Sequence, residues 1–167
     1  RAEQSDGPPV VCLHGITASV FFWTPSQVAP FTDLGPCYAL SLPGHYPAIF
    51  PAEFSEQALT AEHITDVLAQ ALRAHVGDEP AVLIGHSTGG FAALALAARY
   101  PKQVRAVISL AGFAQGRWQG ALGLEQRLAR KRPIGRWLFR TTYALNRLTR
   151  AGQRASWAVY TPRPRRL

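Results

Sequence analysis

Methionine is absent from all 167 residues, and the chain opens on Arg1. An intact translated gene begins with methionine, so the expectation is a clipped or processed chain. Cysteine occurs only at Cys12, inside one apolar run, and at Cys37, at the start of another; that spacing suits neither zinc, a redox pair nor a disulfide framework. Both read as small buried thiols of a reducing compartment, and the expected location is cytoplasmic. The longest uncharged apolar run, Val82 to Ala98, is cut by His86, Ser87 and three glycines, so no transmembrane helix is read. The opening RAEQSDGPP is polar and holds no signal-peptide core. No metal cluster, phosphate loop or dinucleotide fingerprint is visible, and no cofactor is expected.

Negative charge is scarce in one part only. Residues 1–98 hold two basic and nine acidic side chains, whereas residues 99–167 hold sixteen basic ones and a single acid, Glu125. Such asymmetry points to two differently built segments, the basic one free to face something anionic. No nucleic-acid motif accompanies the charge, and no nucleic-acid partner is expected.

What is present suits one globular domain with a core: hydrophobic residues make up 47% and charged residues 17%. VVCLHG (10–15), CYALSLPG (37–44), AVLIGHS (81–87) and VRAVISLAG (104–112) are short, aliphatic and closed by glycine or proline, as buried parallel strands are. Between the second and third, Ile64, Val67, Leu68, Ala71, Leu72 and Val76 recur on one helical face, with Gly77 closing it. GGFAALALAARYP, apolar all round and stopped by Pro101, predicts a helix packed deep on a sheet. The alternation predicts an α/β fold with a parallel sheet. After Phe113 strand signals stop. Helices are predicted over about Leu122–Lys131 and Ile134–Arg154, with a frayed terminal PRPRRL. On the second, Arg136, Arg140, Arg147, Arg150 and Arg154 share one face, and Trp137, Leu138, Leu145 and Leu148 lie opposite. A lid whose apolar side covers the site and whose arginines face water is expected, with contact to an anionic membrane surface or an anionic substrate as the alternative.

GHSTG, residues 85–89, fits G-x-S-x-G, whose mechanism is a sharp strand-to-helix turn presenting the serine oxygen above a sheet. Here a strand precedes it and a helix follows. Ser87 is therefore the expected nucleophile. Its oxyanion needs backbone donors already in place, and the N–H of Thr88 at the helix start is one. The other is the N–H of Ile16, in the turn of LHGIT after the first strand.

These segments together resemble the α/β-hydrolase superfamily of the type with a helical cap. VVCLHGITASVFFW is similar to its strand and oxyanion loop, SLPGHYPA to the next strand and turn, VLIGHSTGGFAALALAARYP to its nucleophile elbow and helix, and VRAVISLAGF to the following strand. The resemblance covers about residues 9–113 and implies a partial core over 1–113, with the start of a cap over 114–167. It identifies His14 with a loop-supporting histidine. Tyr46 departs from the pattern, where a small glycine is common after P-G-H.

The resemblance also implies an acid and then a histidine after the serine. After Ser87 this chain has neither histidine nor aspartate, and its later carboxylate is Glu125. His86 lies inside the turn and reads as structural; His63 and His75 sit too far along a helix; neither His14 nor His45 is a good candidate. Truncation at both ends is the expectation, leaving a four-stranded sheet with raw edges that is prone to self-association. The implied activity is hydrolysis of an ester, thioester or related acyl bond in a small molecule. Carbon–carbon hydrolase and peroxidase relatives share the serine, and a non-catalytic binding protein on the same scaffold is the alternative from another class.

Overall fold

The computed structural model describes residues 6–16, 18–115, 127, 130, 131 and 133–151. Most of the helix expected over 122–131, together with Glu125, Arg154 and the terminal PRPRRL, lies outside the described residues. The chain divides into two compact units, residues 1–115 and 116–167.

In the first unit four short strands form one parallel sheet: β1 (Val10–Leu13), β2 (Cys37–Leu40), β3 (Ala81–His86) and β4 (Val104–Leu110), in the order β2-β1-β3-β4. Every residue of β1 is fully buried. Its side chains alternate, as a strand's must. Val11 and Leu13 face a core built with Leu83 and the helices α2 (Ala61–Val76) and α3 (Thr88–Arg99), through Leu68, Leu72, Ala93 and Leu96. Val10 and Cys12 face the other way, with Ile84, onto Trp23 and the segment around the one-turn helix α1 (Pro25–Val28).

Helix α2 starts and stops where its sequence says it should. Thr60 accepts a hydrogen bond from the His63 N–H at 3.1 Å, which satisfies one of the first-turn amides. Gly77 ends the helix with φ of 91°, a backbone state that costs glycine little. Burying Leu68 and Leu72 contributes about 2 kcal/mol each.

Helix α3 departs from expectation. It buries Gly89, Gly90, Ala92, Ala93 and Leu96, but Phe91 and Leu94 on its other side are exposed. An apolar composition all round made it look enclosed, yet in this structure only one face meets the sheet. Strand β4 is likewise open, with Ile108 and Leu110 exposed.

In the second unit α4 spans Ile134–Leu148 and ends before the expected Arg154, because Thr149 adopts an extended conformation. Arg150 therefore leaves the predicted arginine face. Trp137, Leu138, Leu145 and Leu148 are all exposed. No helix among the described residues is long and apolar enough to cross a membrane.

Connections leave β1 toward β2 on one side and β3 toward β4 on the other. The carboxyl ends of β1 and β3 therefore flank a topological switch point, where loops diverge and a crevice opens.

Candidate active site

Ser87 stands at this crevice, as the single residue between β3 and α3. Its φ of 54° and ψ of −118° put a non-glycine residue in a sparsely populated region, at a cost of roughly 1–3 kcal/mol. The conformation is held from both sides. The Ser87 N–H donates to Leu110 O at 2.9 Å, and Ser87 O accepts from Gly90 and Phe91. The glycines of the motif have a steric reason: a Cβ on Gly85 would strike Gly89 O, and a Cβ on Gly89 would strike the carbonyls of Leu13 and His14. Strand, turn and helix can cross this closely only without those side chains.

The loop after β1 runs beside the serine. A Cβ on Gly15 would lie 3.1 Å from both Ser87 Cβ and His86 Nδ1. Gly15 is thus the close-approach point, and the next residue, Ile16, carries the expected N–H donor. The peptide joining them is oriented by His14, which is fully buried. His14 Nδ1 lies 2.8 Å from Gly15 O, and Nε2 lies 3.1 Å from the Leu42 amide. A carbonyl only accepts and an amide only donates, so the ring is neutral, with its proton on Nδ1. Burial lowers the His14 pKa, with a smaller push from His45 and an opposing one from the bond to Gly15. Because a peptide is planar and trans, pinning Gly15 C=O also directs the Ile16 N–H away from His14.

Thr88 opens α3, so its N–H has no carbonyl one turn earlier to receive it. Its hydroxyl is buried without a hydrogen-bond partner among the described residues. The N-terminal end of α3 also carries the positive pole of the helix.

His86 stacks on Phe22 at 4.8 Å, and burial lowers its pKa. His45 Nδ1 approaches Pro43 O, at 3.3 Å. His63 packs on Phe54, and His75 is exposed in the last turn of α2, near the start of β3 and so toward the amino edge of the sheet. Asp66 accepts from Tyr100 at 2.6 Å and from Arg99 at 2.8 Å, and these bonds hold its carboxyl below the usual range. Arg99 and Tyr100 stand at the far end of α3, whose 12 residues span about 18 Å. Cys12 is silenced by burial, which pushes its thiol up to about 12.

Two features had no signal in the sequence. The Phe22 stack on His86 joins residues far apart in the chain. Tyr46, the departure from the family pattern, stacks on Phe21 at 6.1 Å, and both rings are exposed.

An 80-residue segment is 40% identical to a pimeloyl-[acyl-carrier protein] methyl ester esterase of Neisseria meningitidis, covering 48% of this chain and 27% of that protein. Over 106 residues the chain is 34% identical to a serine O-succinyltransferase of Xanthomonas euvesicatoria, covering 64% of this chain and 22% of the other. The chain thus spans well under half the length of these relatives. Among solved structures, an esterase from a marine microorganism superposes with a TM-score of 0.61 at 21% identity, over 77% of this chain and 47% of that one, which speaks for the fold alone. Residues 8–156 match the family model described as alpha/beta hydrolase fold. With its parallel sheet and the abrupt bend at Ser87 between β3 and α3, this chain belongs to the alpha/beta hydrolase fold family.

Proposed function

We propose that this chain carries the nucleophile and oxyanion half of a serine-dependent hydrolase acting on an ester, thioester or related acyl bond. The observation that carries the reading is the strained backbone of Ser87, bent between β3 and α3 with the Gly15 loop against it. In this reading Ser87 Oγ attacks the acyl carbon, and the hydroxyl proton passes to a base. The carbonyl oxygen, now negative, is stabilised by the Ile16 and Thr88 N–H groups, of the kind whose loss costs about 2.7–4 kcal/mol. Collapse of the intermediate expels the leaving group, which takes up that proton. Water then cleaves the acyl-enzyme and restores the serine.

A neutral serine hydroxyl is a weak nucleophile without a base. The base this reading requires is a histidine oriented by a carboxylate. A second reading, from another class, is a non-catalytic binding protein on the same scaffold. Similarity to a serine O-succinyltransferase allows the acyl group to pass to a hydroxyl acceptor instead of water. The substrate in either catalytic case is a small acyl compound.

A fluorophosphonate reporter added to the protein isolated from its source cells tests the choice. Labelling at Ser87, lost in Ser87→Ala, supports catalysis. A folded protein that stays unlabelled overturns it in favour of the binding reading.

A further inference from the structure

An apolar cavity of about 200 Å³ opens beside both expected oxyanion donors, Ile16 and Thr88. Its walls are Leu42 and Pro43 from the loop after β2, Ile64 from α2, and Phe91 and Ala95 from α3. Of the polar residues on its lining, Thr88 at the oxyanion end has a buried hydroxyl without a partner among the described residues, and the other two are turned to the protein itself. Thr65 donates its hydroxyl to Ala61 O and Glu62 O on its own helix, and His45 Nδ1 approaches Pro43 O. No charged side chain lines it. A larger space of about 650 Å³ along the outer edge of β2 is lined by neither Ile16 nor Thr88, and belongs to the open sheet edge.

We infer that the 200 Å³ cavity is the acyl pocket, and that it takes an unbranched hydrocarbon chain of about six to eight carbons. The inference rests on the serine reading for the carbonyl's position and on the cavity itself for the chain. A carbonyl oxygen between the Ile16 and Thr88 amides sets its acyl carbon at the cavity mouth, because both residues belong to the wall. An apolar cavity of about 150 Å³ holds benzene, with six carbons, so 200 Å³ holds about eight. A pocket lined by no charged side chain rejects an acyl chain ending in a carboxylate, because nothing on its walls balances the cost of desolvating that charge. It also retains an apolar acyl group while the leaving group departs to solvent.

The test separates the pocket from the nucleophile. Straight-chain alcohols from butanol to dodecanol are titrated into isotope-labelled protein and followed by amide chemical shifts. Affinity is expected to rise about three- to fourfold per methylene up to about eight carbons, then level or fall, with shifts centred on Ile16, Ile64 and Ala95. Filling the cavity with Ala95→Leu, or from another wall with Ala61→Phe, should weaken octanol binding at least tenfold. Two differently placed variants guard against a fold defect in either. Octanol affinity unchanged in both, or affinity that ignores chain length, overturns the pocket. The acyl assignment is read from the rate of Ser87 labelling by fluorophosphonates whose octyl chain sits either on phosphorus or on the alkoxy oxygen. Faster reaction of the first supports it, and faster reaction of the second overturns it. Absent labelling with intact octanol binding removes the serine reading, and with it the acyl assignment, while leaving the apolar site in place.

Discussion

Helices α2 and α4 have nearly the same length, sixteen and fifteen residues, and both are amphipathic by sequence, yet they meet opposite fates. In α2 a threonine cap, a glycine stop and a buried leucine face act together. In α4 Pro133 precedes the helix without a side-chain cap, and Ile134, Trp137, Leu138, Leu145 and Leu148 are all 40% exposed or more. The contrast teaches that a helical period reports the shape of a segment and not the presence of a surface to bury it. Most helical stability comes from that surface.

Four measurements probe the difference between these two helices and the core that α2 joins. Leu72→Ala in α2 should lower unfolding stability by about 2–5 kcal/mol, read from urea midpoints, since a buried leucine leaves a cavity. Acid should act next. His14 and His86 have pKa values lowered by burial, so the folded state holds them neutral while the unfolded chain takes up protons below about pH 6.5. Stability should therefore be level above pH 7.5 and fall as the pH drops from 6.5, and His14→Asn should flatten that slope. Residues 134–148 contain no histidine, aspartate or glutamate, so α4 should show no response of its own between pH 7.5 and 5.5. Thr60→Ala should cost about 1 kcal/mol through the lost cap. Leu145→Ala should change stability by less than about 0.5 kcal/mol. A loss at Leu145 as large as that at Leu72 would mean that the α4 stripe is buried in solution.

The sheet was legible because its strands are buried on both faces or end in glycine, and such runs have few other uses. The bend at Ser87 was legible because two glycines bracket a serine at a strand end, and the structure supplies the collisions that require them. The exposure of Phe91 and Leu94 was not, since composition cannot tell an apolar residue that is covered from one that is not. The end of α4 at Leu148 escaped for a similar reason: the arginine spacing continued through a residue whose backbone did not. Contacts such as His14 to Leu42 and Phe22 to His86 join distant parts of the chain, and only the resemblance hinted at the first. The cavity beside Ile16 depends on four chain segments meeting, which no local pattern records.

The twist at position 87 resides in the main chain and is imposed by the elements it joins. An alanine placed there inherits the same torsion, so comparing it with serine isolates the oxygen atom from conformational energy. Glycine would release both at once. Any gain in robustness that glycine brings beyond alanine therefore measures how much tension the fold keeps wound into that single joint.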